Sequence, residues 1–243
     1  MKKFNMDAHM HFDLYRNRED VLNYIEENKS YTIAVTNLPD LYKQYFMEGW
    51  NYQYIRLALG FHPELAAQYE NQFEIFKECI QSSRFIGEVG LDYSIKDEKK
   101  REKQRKIFQQ VVNLCNKDKR KILSVHSRKS EFDCLNILDK FEGKVILHWY
   151  TGTLRNLEIA LSRGYYFSIN HQMIKSQNGR NIINRIPMDR ILLESDAPFT
   201  SGLNLNYNLS FIDDIIDYLS INKGIDKESI CNHIKNNFRE ILL

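Results

Sequence analysis

Cysteine is scarce and poorly spaced for chemistry: Cys79, Cys115, Cys134 and Cys231 stand 36, 19 and 97 residues apart, with no C-x-x-C pair. That spacing argues against a disulfide framework and against a thiolate zinc site, and the four read as reduced, structural thiols of an intracellular protein. Long apolar runs are missing too. No window holds about eighteen consecutive apolar residues, and the opening MKKFNMDAHMHF has two lysines but no apolar stretch of signal-peptide length behind them. A cytoplasmic protein without a membrane span is the expectation. Nor is there an excess of charge: 34 Lys and Arg against 32 Asp and Glu leave +2, so any preference for nucleic acid has to come from a local cluster. Finally, no G-x-G-x-x-G follows the first strand-like run, which counts against a doubly wound dinucleotide-binding sheet.

What is there is ordinary globular material arranged in a regular alternation. Apolar residues make up 43% and charged residues 27%, which rules out disordered, collagen-like and low-complexity classes. A length of 243 residues, at roughly 150 per domain, favours one large domain spanning residues 1–243. Eight β-rich runs recur: Phe4 to His9, Tyr31 to Thr36, Tyr54 to Gly60, Phe85 to Leu91, Lys121 to His126, Val145 to His148, Tyr165 to Ile169 and Arg190 to Glu194. Most are unbroken Ile, Val, Leu, Tyr and Phe, the pattern of strands buried on both faces. Amphipathic stretches lie between them, such as Glu64 to Ser82, Glu98 to Lys117, Glu131 to Phe141 and Leu154 to Arg163, with two further helices expected over Leu209 to Leu243. Eight strands alternating with helices in this length predict an α/β protein of the (β/α)8 TIM-barrel type.

In such a barrel reactive groups project from the carboxyl ends of strands. Here those ends read Asp7-Ala8-His9-Met10-His11, Gly60-Phe61-His62-Pro63, Gly87-Glu88-Val89-Gly90-Leu91-Asp92, His126-Ser127-Arg128, His148-Trp149-Tyr150 and Glu194-Ser195-Asp196. Five of the seven histidines fall at these points, while His171 follows the seventh strand and His233 lies apart. Side chains two apart on a strand share a face, so His9 and His11 can present two imidazoles to one ion. With Glu88, His126, His148 and Asp196 there are six donors from five strands, more than one tetrahedral site uses. The surplus suggests two divalent ions, Zn, Mg or Mn, sharing a carboxylate, and nominates Glu88 as the bridge. Such a pair lowers the pKa of water from 15.7 toward about 7 and clamps the oxygens of a displacement.

The ordered motifs DAHMHFD, GFHP, IGEVGLDY, VHSR, LHWYTG and LLESDAPF together resemble the TatD family of metal-dependent hydrolases, within the amidohydrolase-like barrels, from about Asp7 to Phe199, with a weaker echo near Asn237 and Phe238. The resemblance implies a metal centre and a nuclease, commonly a 3′→5′ exonuclease acting on single-stranded DNA or RNA. It assigns His9, His11, Glu88 and Asp196 to one metal, and Glu88, His126 and His148 to the second. It gives Asp196 a further role in orienting or deprotonating water. His62 and Arg128 would hold the scissile phosphate or assist the leaving group. One segment departs from the pattern: TSGLNLNYN from Thr200 to Asn208 stands where many relatives carry Arg-Asn-x-Pro. The departure suggests a divergent branch, of the kind that serves in antiviral defence systems.

Plainer readings stand beside these. His62 fits a turn histidine before Pro63, Arg128 a structural ion pair, and Asp92 a carboxylate that caps a backbone amide at its strand end. Trp149 and Tyr93, beside candidate ligands, suit stacking on a nucleobase but also any pocket wall. Lys96 to Lys106, with seven bases and three acids, is a solvated helix face or an electrostatic guide for a polyanion. Two rival functions share the same residues: hydrolysis of an ester or amide such as a mischarged aminoacyl-tRNA, and a weakly active nucleic-acid-binding subunit of a larger complex.

Overall fold

The computed structural model describes residues 4–243. Among them are eight strands: β1 (Met6–Met10), β2 (Tyr31–Val35), β3 (Ile55–Leu59), β4 (Phe85–Gly90), β5 (Ile122–His126), β6 (Lys144–His148), β7 (Tyr166–Ile169) and β8 (Ile191–Leu193). They form one sheet in the order β1 to β8, and every recorded register is parallel. Closure comes from β1: the His11 amide donates to the Ala197 carbonyl at 2.9 Å and the Asp196 amide to the His9 carbonyl at 3.0 Å. Consecutive parallel strands need crossovers, and the intervening helices supply them, which gives the (β/α)8 barrel expected from the alternation. The helices are α1 (Arg18–Glu27), α2 (Pro39–Met47), α3 (Pro63–Ala66), α4 (Phe73–Cys79), α5 (Glu98–Cys115), α6 (Glu131–Ile137), α7 (Leu154–Ser162), α8 (Gln177–Arg185), α9 (Ser210–Lys223) and α10 (Lys227–Leu242).

One expected helix is broken. The stretch Glu64 to Ser82 folds as α3, a 3-10 turn at Glu70–Gln72 and α4. Its apolar pattern lapses over the polar run Gln68 to Gln72, and a tertiary pair takes over there. The buried Gln72 accepts from the Asp40 amide at 3.2 Å and donates to the Asp40 carboxylate at 2.9 Å. A side-chain amide so far inside needs its partners, and meeting Asp40 turns the chain.

Contacts group the chain into two compact units. The first comprises residues up to Ala34 with Tyr52–Arg56 and Tyr166–Leu243. Its core includes Ile33, Phe167, Ile169, Leu192, Ile212 and Ile234. In α10 the buried Asn237 donates to the carbonyls of Met188 and Ile191, both at 2.7 Å, and Phe238 packs on Tyr31 at 5.8 Å between ring centres. These contacts anchor the last helix at the amino end of β8. The second unit comprises Val35–Asn51 and Leu57–Tyr165, with Phe76, Ile86, Val89, Phe108, Leu123 and Ile146 in its core.

Two irregularities interrupt the sheet. The β1–β2 register shifts between Asp7 and Met10, and the β4–β5 register shifts between Ile86 and Val89. The bracketed residues include His9 and Glu88. Irregularities of this kind re-aim side chains, and these fall at positions that carry imidazole and carboxylate.

Candidate metal centre

In the first unit, His9, His11 and Asp196 meet in a fully buried group. The two Nε2 atoms lie 3.3 Å apart, and each is within 3.8 Å of Asp196 Oδ1. Two nitrogens about 2.0–2.1 Å from one tetrahedral ion would stand about 3.3–3.4 Å apart, so the observed spacing fits convergence on a single cation. Asp196 sits at φ +47°, a left-handed conformation that ordinary side chains avoid. Its backbone is held there by the closure bond to His9 and by the Phe199 amide, which donates to the Asp196 carbonyl at 2.9 Å. Strain of this kind needs a surrounding frame, and it concentrates at functional positions.

Beneath this group lies Asp7, two residues before His9. The wholly buried carboxylate accepts from the Ser195 amide at 2.9 Å, the His9 amide at 3.2 Å and the Tyr207 hydroxyl at 2.8 Å. Burial still dominates and pushes it up to about 7, against the opposing hydrogen bonds. Asp7 thus ties β1 to the residues after β8 and fixes the backbone from which His9, His11 and Asp196 project.

In the second unit, Glu88 is the centre. Its Oε1 lies 2.5 Å from His126 Nδ1 and 2.9 Å from His148 Nε2, and those nitrogens are 3.3 Å apart. Its Oε2 faces His62 Nε2 at 3.3 Å. His62 Nδ1 accepts from the Glu64 amide, which leaves the ring proton on Nε2, aimed at Glu88. His126 Nε2 meets Asp92 Oδ2 at 2.8 Å, while Asp92 Oδ1 accepts the Ser94 amide at 2.7 Å. Asp92 therefore does both things: it caps the turn and holds a histidine. Burial works to lower the His126 pKa, but the Glu88 charge and the bonds to Asp92 and Glu88 outweigh it and lift the ring to about 9. Burial works the other way on Asp92, yet its bonds from His126 and Ser94 bring it down to about 2. A carboxylate only 2% exposed among three imidazoles is costly without cations or protons nearby. The donor set suits a borderline divalent ion.

The residues expected to face substrate are less uniform. Arg128 is exposed, and Trp149 is half-buried at φ +35° directly after His148. Tyr93 already has partners on its ring and its hydroxyl. Its ring lies under Arg101, 5.0 Å from the guanidinium, and its hydroxyl donates to Asp133 at 2.5 Å and accepts from Arg105 at 3.0 Å. The basic stretch of α5 thus folds partly onto Tyr93, and Glu98 pairs with Arg105 at 2.7 Å. Sequence reasoning passed over one ring entirely. Phe199 packs edge-on against His11 with 5.2 Å between ring centres. Its position three residues after a candidate ligand was the available signal.

Comparison with known proteins shows what the whole chain is similar to. A family model described as TatD related DNase covers residues 6–243. An uncharacterized metal-dependent hydrolase of Buchnera aphidicola is 28% identical over 98% of both chains. Human Deoxyribonuclease TATDN3 is 25% identical over 93% of this chain and 89% of its own. The crystal structure of YJJV, a TatD homolog from Escherichia coli, superposes with a TM-score of 0.85 at 20% identity over 100% of this chain and 99% of that one. The chain belongs to the TatD-related DNase family of metal-dependent hydrolases, which act on ester bonds.

Proposed function

We propose that this chain, as a single hydrolase domain, is a nuclease that cleaves phosphodiester bonds of single-stranded nucleic acid, DNA in the first instance. The observation that carries the reading is the Glu88 carboxylate, whose two oxygens are addressed by different imidazoles, His126 and His148 on one and His62 on the other. Relatives named as deoxyribonucleases support the choice of substrate.

His9, His11 and Asp196 would hold one divalent ion, and Glu88, His126 and His148 a second. Bound cations supply Lewis acidity to a phosphoryl oxygen and lower the pKa of water. The protein's own part is orientation and proton transfer. Asp92 keeps the His126 ring from turning, and Asp7 fixes the strand end beneath His9. Asp196, at the rim, accepts the proton that the attacking water loses. His62 Nε2–H is placed to donate a hydrogen bond to the departing oxygen, whose proton comes from solvent, and the exposed Arg128 supplies a planar fork for phosphate oxygens.

Purified protein should degrade a single-stranded oligonucleotide with Mg, Mn or Zn present, and Glu88→Ala or His126→Ala should lose this activity. Turnover undiminished by EDTA or by either substitution contradicts the mechanism. Matched assays on an aminoacyl ester test the carbonyl-directed rival.

A further inference from the structure

Phe199 is 61% exposed, yet its surroundings are fixed. The segment that carries it is pinned at both ends. Ahead of it, the Ala197 amide donates to Ser195 Oγ at 3.1 Å, and Thr200 Oγ1 donates back to the Ser195 carbonyl at 2.7 Å. Behind it, His171 Nε2 meets the Ser201 carbonyl at 2.9 Å and Gln172 Nε2 donates to Ser201 Oγ at 2.5 Å. His171 and Gln172 follow β7, so a second strand end braces the turn. Against this frame the ring stands edge-on to His11, one of the three groups converging on the first candidate ion.

A large exposed aromatic on a mobile loop would carry no information, since scattered surface apolars are normal. Here the flanking backbone is held by polar contacts, and the ring meets a candidate ligand at 84° between planes while staying 61% exposed. The following segment supplies no Lys or Arg: from Thr200 to Asn208 the chain reads TSGLNLNYN, with Leu205 75% exposed. Phosphate capture by charge is therefore not what this segment offers. Apolar, π-faced contact is. Tyr93, one of the two aromatics singled out in the sequence, already carries Arg101 on its ring.

We infer that Phe199 is a substrate-contact residue on which the nucleobase next to the cleaved bond stacks, so that the site takes an unpaired, base-bearing strand end. The inference rests on the nuclease reading and specifies how the strand is gripped. Stacking tolerates any base, which predicts little sequence preference but a strong requirement for a base as such.

The test uses the metal-loaded protein and two oligonucleotides, an eight-residue oligothymidylate and the same strand with abasic residues at both termini. On the first, Phe199→Ala should raise KM by roughly 5- to 150-fold with kcat changed by less than about threefold, and Phe199→Trp should stay near wild type. On the abasic-ended strand, the Ala variant and wild type should converge. Metal content of the Ala variant should equal that of wild type, which separates lost stacking from damage at His11. An unchanged KM, an equal loss on both strands, or depleted metal overturns the inference. Should wild type cleave neither strand, the nuclease reading itself falls and takes the inference with it; cleavage by wild type with indistinguishable variants removes the inference alone.

Discussion

Two carboxylates outside the proposed ligand set, Asp7 and Asp92, are held in opposite electrostatic states. Asp7 accepts hydrogen bonds from Ser195, Tyr207 and His9, and burial still keeps it up to about 7. An acid whose folded pKa exceeds its unfolded value of 3.8 retains its proton in the native state between those limits. Its contribution to stability therefore falls as pH rises from about 4 to about 7, and is flat above. In metal-free protein, the denaturation midpoint should drop between pH 5 and pH 8 by more in wild type than in Asp7→Asn, and equal slopes would show that burial does not govern the group. Asp92, brought down to about 2, stays charged throughout and holds His126 through Nε2. Removing an outer partner of a ligating histidine typically costs 10–100-fold, so Asp92→Ala should lose about that much in metal affinity, measured by competition with a chromophoric chelator. Asp92 was legible only as a strand-end carboxylate suited to capping a backbone amide, because its meeting with His126 spans 34 positions of chain.

At the level of strands, the glycines that flank Glu88 explain how a carboxylate reaches the barrel end from an otherwise apolar run. A Cβ on Gly90, which sits at φ +138°, would come within 2.0 Å of the His126 carbonyl, and one on Gly87 within 2.9 Å of Ser124 Cβ. Only glycine lets β4 approach β5 this closely beside its bulge. Gly90→Ala should therefore destabilise the fold by about 3 kcal/mol or more, read from urea unfolding, whereas Gly164→Ala, at φ +74° with nothing near its Cβ, should cost only about 1 kcal/mol. Similar unfolding midpoints for the two would mean that β4 and β5 can separate without penalty. The strand runs read from the sequence match the observed strands to within two residues or so, because apolar β-branched runs between polar breaks are a local signal. The helix expected over Glu64 to Ser82 failed for the complementary reason: its break depends on Asp40, some thirty residues earlier.

Across the whole molecule, buried imidazoles and carboxylates gathered in groups predict that a bound divalent ion stabilises the protein. Saturating divalent ion at about 100 times Kd adds about 2.7 kcal/mol, or roughly 5–10 °C in melting temperature for a chain of this length. Chelation should reverse that gain in wild type and leave Glu88→Ala unmoved; a wild-type melting curve indifferent to EDTA would argue against a resident metal. Among the described residues no helix is long and apolar enough to cross a membrane, as the missing apolar runs suggested. Taken alone, the sequence determined the alternation of strands and helices and the placing of imidazoles and carboxylates at strand ends, since both are written in residue type and in short-range order. Tertiary structure alone decided which oxygen of Glu88 faces which histidine, that Asp92 braces His126, that Tyr93 lies under Arg101 and that Phe199 stands against His11. Such pairings join residues far apart along the chain, and their geometry follows from strand register and packing, which no local pattern encodes.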